Sequence, residues 1–159
     1  MEPLIAALYD RLELQRERIE RCMRRISGDA VWKRPREGVN SIGNLCLHLA
    51  GNESHYIGRG IGGADYLRDR HGEFEASGGA GARELVEKLA EARRTTRRVL
   101  EDIAASDLDR PVDVDYPPSP TALGVLLHVV EHYAYHTGQI VLLTRILQPG
   151  GDRVLEWGH

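Results

Sequence analysis

The C-terminal part of the chain contains a long apolar segment, residues 121–147, whose only formal charges are Glu131 and Arg145. The same segment contains three histidines spaced four residues apart: His128, His132 and His136. Residues four apart lie on one face of an α-helix, one above the other. This segment therefore predicts a long helix with a histidine face, and that pattern constrains the fold more than any other feature of the chain.

The histidine face is predicted to point inward. At ~100° per residue, Val125, Gln139 and Leu143 lie within about 40° of His132, whereas the two charges lie toward the opposite side. Buried polar side chains need partners, so stacked inward imidazoles require a metal, a carboxylate or a substrate.

Geometry limits which histidines can share one metal ion. Each step of four residues rises about 6 Å, and rotamers allow two imidazole nitrogens to reach one ion at ~2.0–2.1 Å. His128 and His136 are roughly 12 Å apart along the axis and cannot share an ion. The pair is therefore either His128/His132 or His132/His136, and a third ligand must come from another helix.

Composition limits the protein class. With 159 residues the chain predicts one domain, residues 1–159, large enough for its own core. The net charge of −3 gives no electrostatic basis for nucleic-acid binding. Cys22 and Cys46 form no CxxC motif, and the N-terminus does not resemble a signal peptide, so we expect a cytoplasmic protein with free thiols. The histidines, Glu131 and Gln139 argue against a membrane span for residues 121–147.

Apolar residues recur at three- and four-residue spacing in four segments, which predicts helices at about 3–27, 41–58, 83–105 and 119–147. Pro3 fits a first helical turn, Ser41 fits an N-cap, and Ser119-Pro120 fits the start of the last helix. The predicted fold class is all-α, a four-helix bundle, and bundles build metal sites from side chains on facing helices.

The second predicted helix carries a polar stripe on an otherwise apolar surface. Its members lie within ~40° of one another: Ser41, Asn44, His48, Asn52, His55 and Arg59. A single inward histidine is ordinarily a core residue bonded to a carbonyl, but a whole stripe indicates a polar cavity.

Residues 60–82 are rich in glycine and are predicted to form a long loop without regular structure. Loops of this length are usually functional or mobile. We expect it to lie near the mouth of the site and to be mobile without substrate. Arg68, Arg70 and His71 either contact a substrate there or belong to a solvated excursion.

Two motifs together resemble the DinB/YfiT-like superfamily, and in particular its uncharacterised "SIGNL…HLAGN" branch. They are NSIGNLCLHLAGN at residues 40–52 and HVVEHYAYHTGQI at residues 128–140. The likeness extends from Trp32 to Arg145, which is most of the chain.

The resemblance implies a helical bundle that holds a divalent metal ion, usually zinc or nickel, through His48, His132 and His136. His128 then lies one turn away and is not a ligand. Three histidines with an open coordination position are typical of a catalytic metal site. Asn44, Asn52, His55 and Gln139 are expected to support the ligands or to orient a substrate, and no catalytic residue is assigned.

The resemblance also implies a function class. Relatives include metal-dependent transferases that use low-molecular-weight thiols, thiol-dependent isomerases and hydrolases. We expect a thiol S-transferase that acts on a small molecule, and a homodimer because family members commonly dimerise. The alternatives are a non-catalytic metal-binding or sensing homodimer, a metal-dependent hydrolase, and a dimeric bundle whose core histidines bind no metal.

Overall fold

A computed structural model describes residues 1–26, 28–115 and 120–148, and these residues form five α-helices. The helices are α1 (Pro3–Met23), α2 (Ile42–Glu53), α3 (Arg70–Glu75), α4 (Ala82–Asp102) and α5 (Ala122–Leu147). α2 continues directly into a π-helix, Ser54–Ile61. Extended pairing in the described residues is limited to one antiparallel bridge between Pro111 and Thr121. The all-α prediction is confirmed.

The four long helices surround one hydrophobic core. α5 packs against α1 and α2, and α4 packs against the same two helices, so α1 and α2 lie on one diagonal of the bundle. Each long helix contributes fully buried side chains to the core, among them Leu12, Leu49, Leu89 and Tyr133. None of the helices in the described part of the chain is long and apolar enough to cross a membrane.

The helix boundaries follow local capping chemistry. Ser41 caps α2 as predicted, because its Oγ accepts a hydrogen bond from the Asn44 amide at 3.1 Å. α5 begins later than predicted, with Thr121 Oγ1 accepting from the Gly124 amide at 3.1 Å. The predicted N-cap Ser119 and residues 149–159 lie outside the described residues.

α1 and α4 end earlier than the sequence pattern predicted, at Met23 and Asp102. On α1, Ile5 is fully buried, whereas the neighbouring Leu4 is 51% exposed. Both residues fit the three- or four-residue spacing with Leu8, and packing against the other helices decides which of them is buried.

The prediction that residues 60–82 have no regular structure is wrong. The π-helix extends to Ile61, and α3 lies in the middle of the segment. Asp69 caps α3 by accepting a hydrogen bond from the Gly72 amide at 2.8 Å. The Asn44 amide group donates to the carbonyls of Glu73, Phe74 and Ala76 at 3.0, 3.2 and 2.7 Å. A six-residue helix is not stable alone in water, so these contacts from α2 hold it in place.

Candidate metal centre

His48 on α2 and two histidines one turn apart on α5, His132 and His136, converge in the bundle interior. The Nε2 atoms of His48 and His132 lie 2.8 Å apart. One ring nitrogen from each of the three lies within 4.8 Å of the other two. His48 is 4% exposed, His136 is 9% exposed and His132 is partly buried. Three imidazole nitrogens this close together are positioned to hold one metal ion.

His128 does not join this group. Its ring centroid lies 5.5 Å from that of His132, and its ring meets Tyr56 edge-on at 5.0 Å. The sequence left two histidine pairs open on α5. The structure turns His132 and His136 toward His48 and leaves His128 one turn away.

The ring nitrogens that face away from the cluster have hydrogen-bond acceptors. His48 Nδ1 lies 2.9 Å from Glu73 Oε2, and His136 Nδ1 lies 2.7 Å from Gln139 Oε1. Arg68 Nη2, which can only donate, also lies 3.1 Å from His48 Nδ1. The contact with Glu73 is the shorter one and an ionised carboxylate only accepts, so we assign the proton to Nδ1 of His48, which leaves the lone pair on its Nε2. The Gln139 carbonyl oxygen sets the same tautomer for His136. Metal-binding histidines usually donate their other N–H to such an acceptor, so the donor set fits a divalent metal ion.

Glu73 is itself held by Arg68. The guanidinium donates from Nε to Glu73 Oε1 at 2.7 Å and from Nη2 to Glu73 Oε2 at 2.8 Å. Burial would raise the pKa of the Glu73 carboxyl, but the hydrogen bonds from His48 and Arg68 and the charge of Arg68 lower it overall. Glu73 is therefore ionised at neutral pH and remains an acceptor for His48.

Two of the clustered histidines, His132 and His136, are electrostatically suited to remain neutral. Burial, together with the neighbouring His136, His48 and His128, lowers the pKa of His132 to about 3. Burial also lowers the pKa of His136, although its hydrogen bond with Gln139 opposes the shift. Neutral imidazoles are the form that binds metal ions.

The other predicted site residues have different environments. Gln139 contacts a cluster histidine as described above, whereas Asn44 is occupied by the carbonyls of the α3 region. Asn52, one turn after His48, is 2% exposed, and its Oδ1 has no hydrogen-bond partner among the described residues. The same is true of His55 Nδ1, while His55 Nε2 lies 3.7 Å from Asp115 Oδ1.

The basic residues of the 60–82 segment do not share one role. Arg68 is neither solvated nor free for a substrate, because its side chain is 10% exposed and paired with Glu73. The Arg70 guanidinium lies over the Phe74 ring, 5.3 Å from its centroid. His71 is exposed.

Sequence reasoning missed Glu73, and the available signal was Gly51. An interior glycine in a helix pattern can mark a close approach by another part of the chain. A Cβ atom at Gly51 would overlap Glu73 Oε1. The glycine therefore creates the space in which the Glu73 carboxylate reaches His48.

A groove of about 490 Å³ lies between α2, α4 and residues 64–69. Glu73 and Gly51 form part of its wall, but none of the three clustered histidines lines it. The groove therefore adjoins the histidine cluster at Glu73, which both lines the groove and contacts His48.

Comparison with known proteins supports the resemblance described above. The chain is similar to a conserved protein of Enterococcus faecalis, with a TM-score of 0.76 and 18% identity over 95% of this chain and 100% of that one. It is also similar to a DinB-like protein of Bacillus subtilis, with a TM-score of 0.70 and 18% identity over 95% and 96% of the two chains. At this identity the two structures establish the shared fold. No curated protein matches the chain significantly.

The family itself is established by sequence. The profile described as Mycothiol-S-transferase matches residues 7–147. This range includes His48, His132 and His136, all of α2, α4 and α5, and α1 except its first four residues. The DinB/YfiT-like resemblance is thereby confirmed, and the chain belongs to the mycothiol-S-transferase family.

Proposed function

We propose that this protein is a divalent-metal-dependent thiol S-transferase, and that His48, His132 and His136 hold the metal, zinc or nickel. The observation that carries the proposal is the convergence of three ring nitrogens while the opposite nitrogens of His48 and His136 are held by Glu73 and Gln139. The family description supports a low-molecular-weight thiol as one substrate.

The proposed reaction joins a thiol to an electrophile. A bound divalent metal would favour the thiolate form of the thiol at neutral pH. The thiolate sulfur then forms a bond to an electrophilic carbon, the leaving group departs with its electron pair, and the thiol proton passes to solvent. The chain contributes the ligand geometry and a site in the bundle interior, where His48 is 4% exposed and His136 is 9% exposed. Glu131 is exposed on the outer face of α5 and is not part of this chemistry.

The ligand assignment is tested by single alanine substitutions in protein purified without a histidine tag. His48→Ala, His132→Ala and His136→Ala should each lose most of the bound metal, measured by elemental analysis and by zinc titration. His128→Ala is the matched control, since it has the same spacing on α5 and should keep the parent level. Loss of metal in His128→Ala with retention in His136→Ala would instead assign the His128/His132 pair.

The pH dependence of metal binding follows from the shifted histidines. Metal affinity should fall on acidification, because protonated imidazole cannot bind a metal ion. His132 and His136 should contribute to this fall only below the ordinary histidine pKa of ~6.5, because their pKa values are lowered in the folded protein. Zinc titrations between pH 7.5 and 5 measure this, and a fall in affinity that is complete above pH ~6.5 would contradict it.

The catalytic part of the proposal is tested with the metal-loaded protein, mycothiol and a chromogenic haloarene. Conjugation that depends on the metal and on His132 supports the transferase. Metal binding without thiol consumption favours a non-catalytic metal-binding or sensing protein, and release of product from an ester without thiol favours a hydrolase.

A further inference from the structure

We infer that Glu73 is a positioning residue of the metal centre, which fixes His48 in its metal-binding tautomer. Glu73 lies in the segment between the π-helix and α4, residues 62–81, so the position of this segment is coupled to metal occupancy. The inference rests on the proposed function, because it concerns the same three histidines.

Glu73 contacts His48 directly in the bundle interior. Glu73 is 8% exposed, and its Oε2 lies 2.9 Å from His48 Nδ1. A proton on Nδ1 leaves the Nε2 lone pair directed at His132, 2.8 Å away. Without an acceptor at Nδ1, the neutral ring can place its proton on either nitrogen, and the tautomer with the proton on Nε2 cannot bind the metal.

Glu73 is held from several sides. Arg68 binds both carboxylate oxygens, and its Nη2 also lies 3.1 Å from His48 Nδ1 and 3.4 Å from the backbone carbonyl of His48. Asn44 fixes the backbone of α3 through the carbonyls of Glu73 and Ala76. The Phe74 ring lies 4.6 Å from the His48 ring, centroid to centroid. These contacts determine where the carboxylate sits relative to His48.

Metal binding and the position of the segment that carries Glu73 are coupled. A divalent ion on Nε2 would withdraw charge from the imidazole and strengthen the hydrogen bond from Nδ1 to Glu73. By linkage, a ligand that strengthens this contact stabilises the observed position of the segment, and displacement of the segment from His48 weakens the binding of the ligand by the same factor. Metal binding and retention of residues 62–81 in this position should therefore be cooperative.

The test compares zinc binding in the parent protein with Glu73→Ala, Glu73→Gln and the control Glu75→Ala. Glu75 lies two residues away in α3 and is exposed. Glu73→Ala should bind zinc about 10–100-fold more weakly by chelator competition, the usual cost of losing such a partner. Glu73→Gln should lose less, because its amide oxygen can still accept the proton, and Glu75→Ala should match the parent. If Glu73→Ala does not fold, Glu73→Leu, which keeps a similar side-chain volume but has no acceptor, takes its place, and parent-like zinc affinity in it overturns the inference.

A second readout separates positioning from simple support of the fold. In ¹⁵N-histidine spectra of the metal-free protein, His48 should carry its proton on Nδ1 in the parent and lose this preference in Glu73→Ala. Zinc should slow tryptic cleavage after Arg68 and Arg70 in the parent but not in Glu73→Ala. A lower melting temperature in Glu73→Ala with unchanged zinc affinity and tautomer would overturn the inference and assign Glu73 a structural role.

The two proposals fail in different ways. If the parent and Glu75→Ala bind zinc and the Glu73 variants bind it equally well, the positioning role is wrong and the metal centre stands. If the parent binds no divalent metal, the proposed function is wrong and the inference falls with it.

Discussion

At the scale of single residues, Gly51 offers a steric test of the site in which no polar side chain is replaced. A Cβ atom at this position would overlap Glu73 Oε1 and push the carboxylate away from His48. Gly51→Ala should therefore weaken zinc binding by about tenfold, the low end of what losing such a partner costs. The free energy of unfolding of the metal-free protein should fall by less than the overpacking strain of about 1–3 kcal/mol, because about 1 kcal/mol of gained helix propensity offsets part of that strain.

The matched control for Gly51 is Gly58, on the same helical stretch. A Cβ atom there meets Thr95 Cγ2 at 3.4 Å, which is close to ordinary contact distance. Gly58→Ala should keep the parent zinc affinity in the same chelator competition. Equal affinity in Gly51→Ala and the parent would show that Glu73 can move without consequence for the metal.

At the scale of elements, a buried ionic network joins all four long helices. Arg93 on α4 donates to Glu53 at the end of α2 at 2.7 and 3.2 Å, and to Glu13 on α1 at 2.8 Å. Tyr133 on α5 donates to Glu53 Oε2 at 2.5 Å. Arg93 is 3% exposed and Glu53 is fully buried, so removing one partner leaves a buried charge without its main counter-ion.

Glu53→Ala should therefore destabilise the metal-free protein by about 3–5 kcal/mol in urea unfolding, the usual cost of breaking a buried pair from one side. The control is Glu87→Ala, which removes the exposed pair with Arg94 and should cost less than about 1 kcal/mol. Because Tyr133 follows His132 directly, the network also fixes the rotation of α5 that turns the histidines toward α2. Similar unfolding midpoints for the two variants would show that the network contributes little.

At the scale of the whole molecule, the outer face of α5 presents a stripe of four large apolar side chains, which also contains the exposed charges of Glu131 and Arg145. Leu127, Tyr135, Leu142 and Ile146 are 44%, 66%, 59% and 51% exposed. We propose that this stripe is the interface of the homodimer expected from the family resemblance. Light scattering at micromolar concentration should give twice the chain mass of 17.8 kDa. Leu142→Glu should give the mass of one chain, whereas Leu67→Glu, at a 96% exposed position in the 62–81 segment, should not.

The sequence by itself determined the four long helices and the chemistry of their faces. The four-residue spacing of His128, His132 and His136 and the polar stripe around His48 are local patterns, because a helix brings residues three and four apart together whatever the rest of the chain does. Only the tertiary structure decided which histidines meet. The three on α5 have equivalent spacing, and the packing of α5 on α2 places His132 and His136, rather than His128, beside His48. Glu73 lies 25 residues from His48 in sequence, in a segment whose glycines predicted no regular structure. Its helix exists because Asn44, Arg68 and the space at Gly51 hold it there, and contacts between residues so far apart leave no periodic pattern in the sequence.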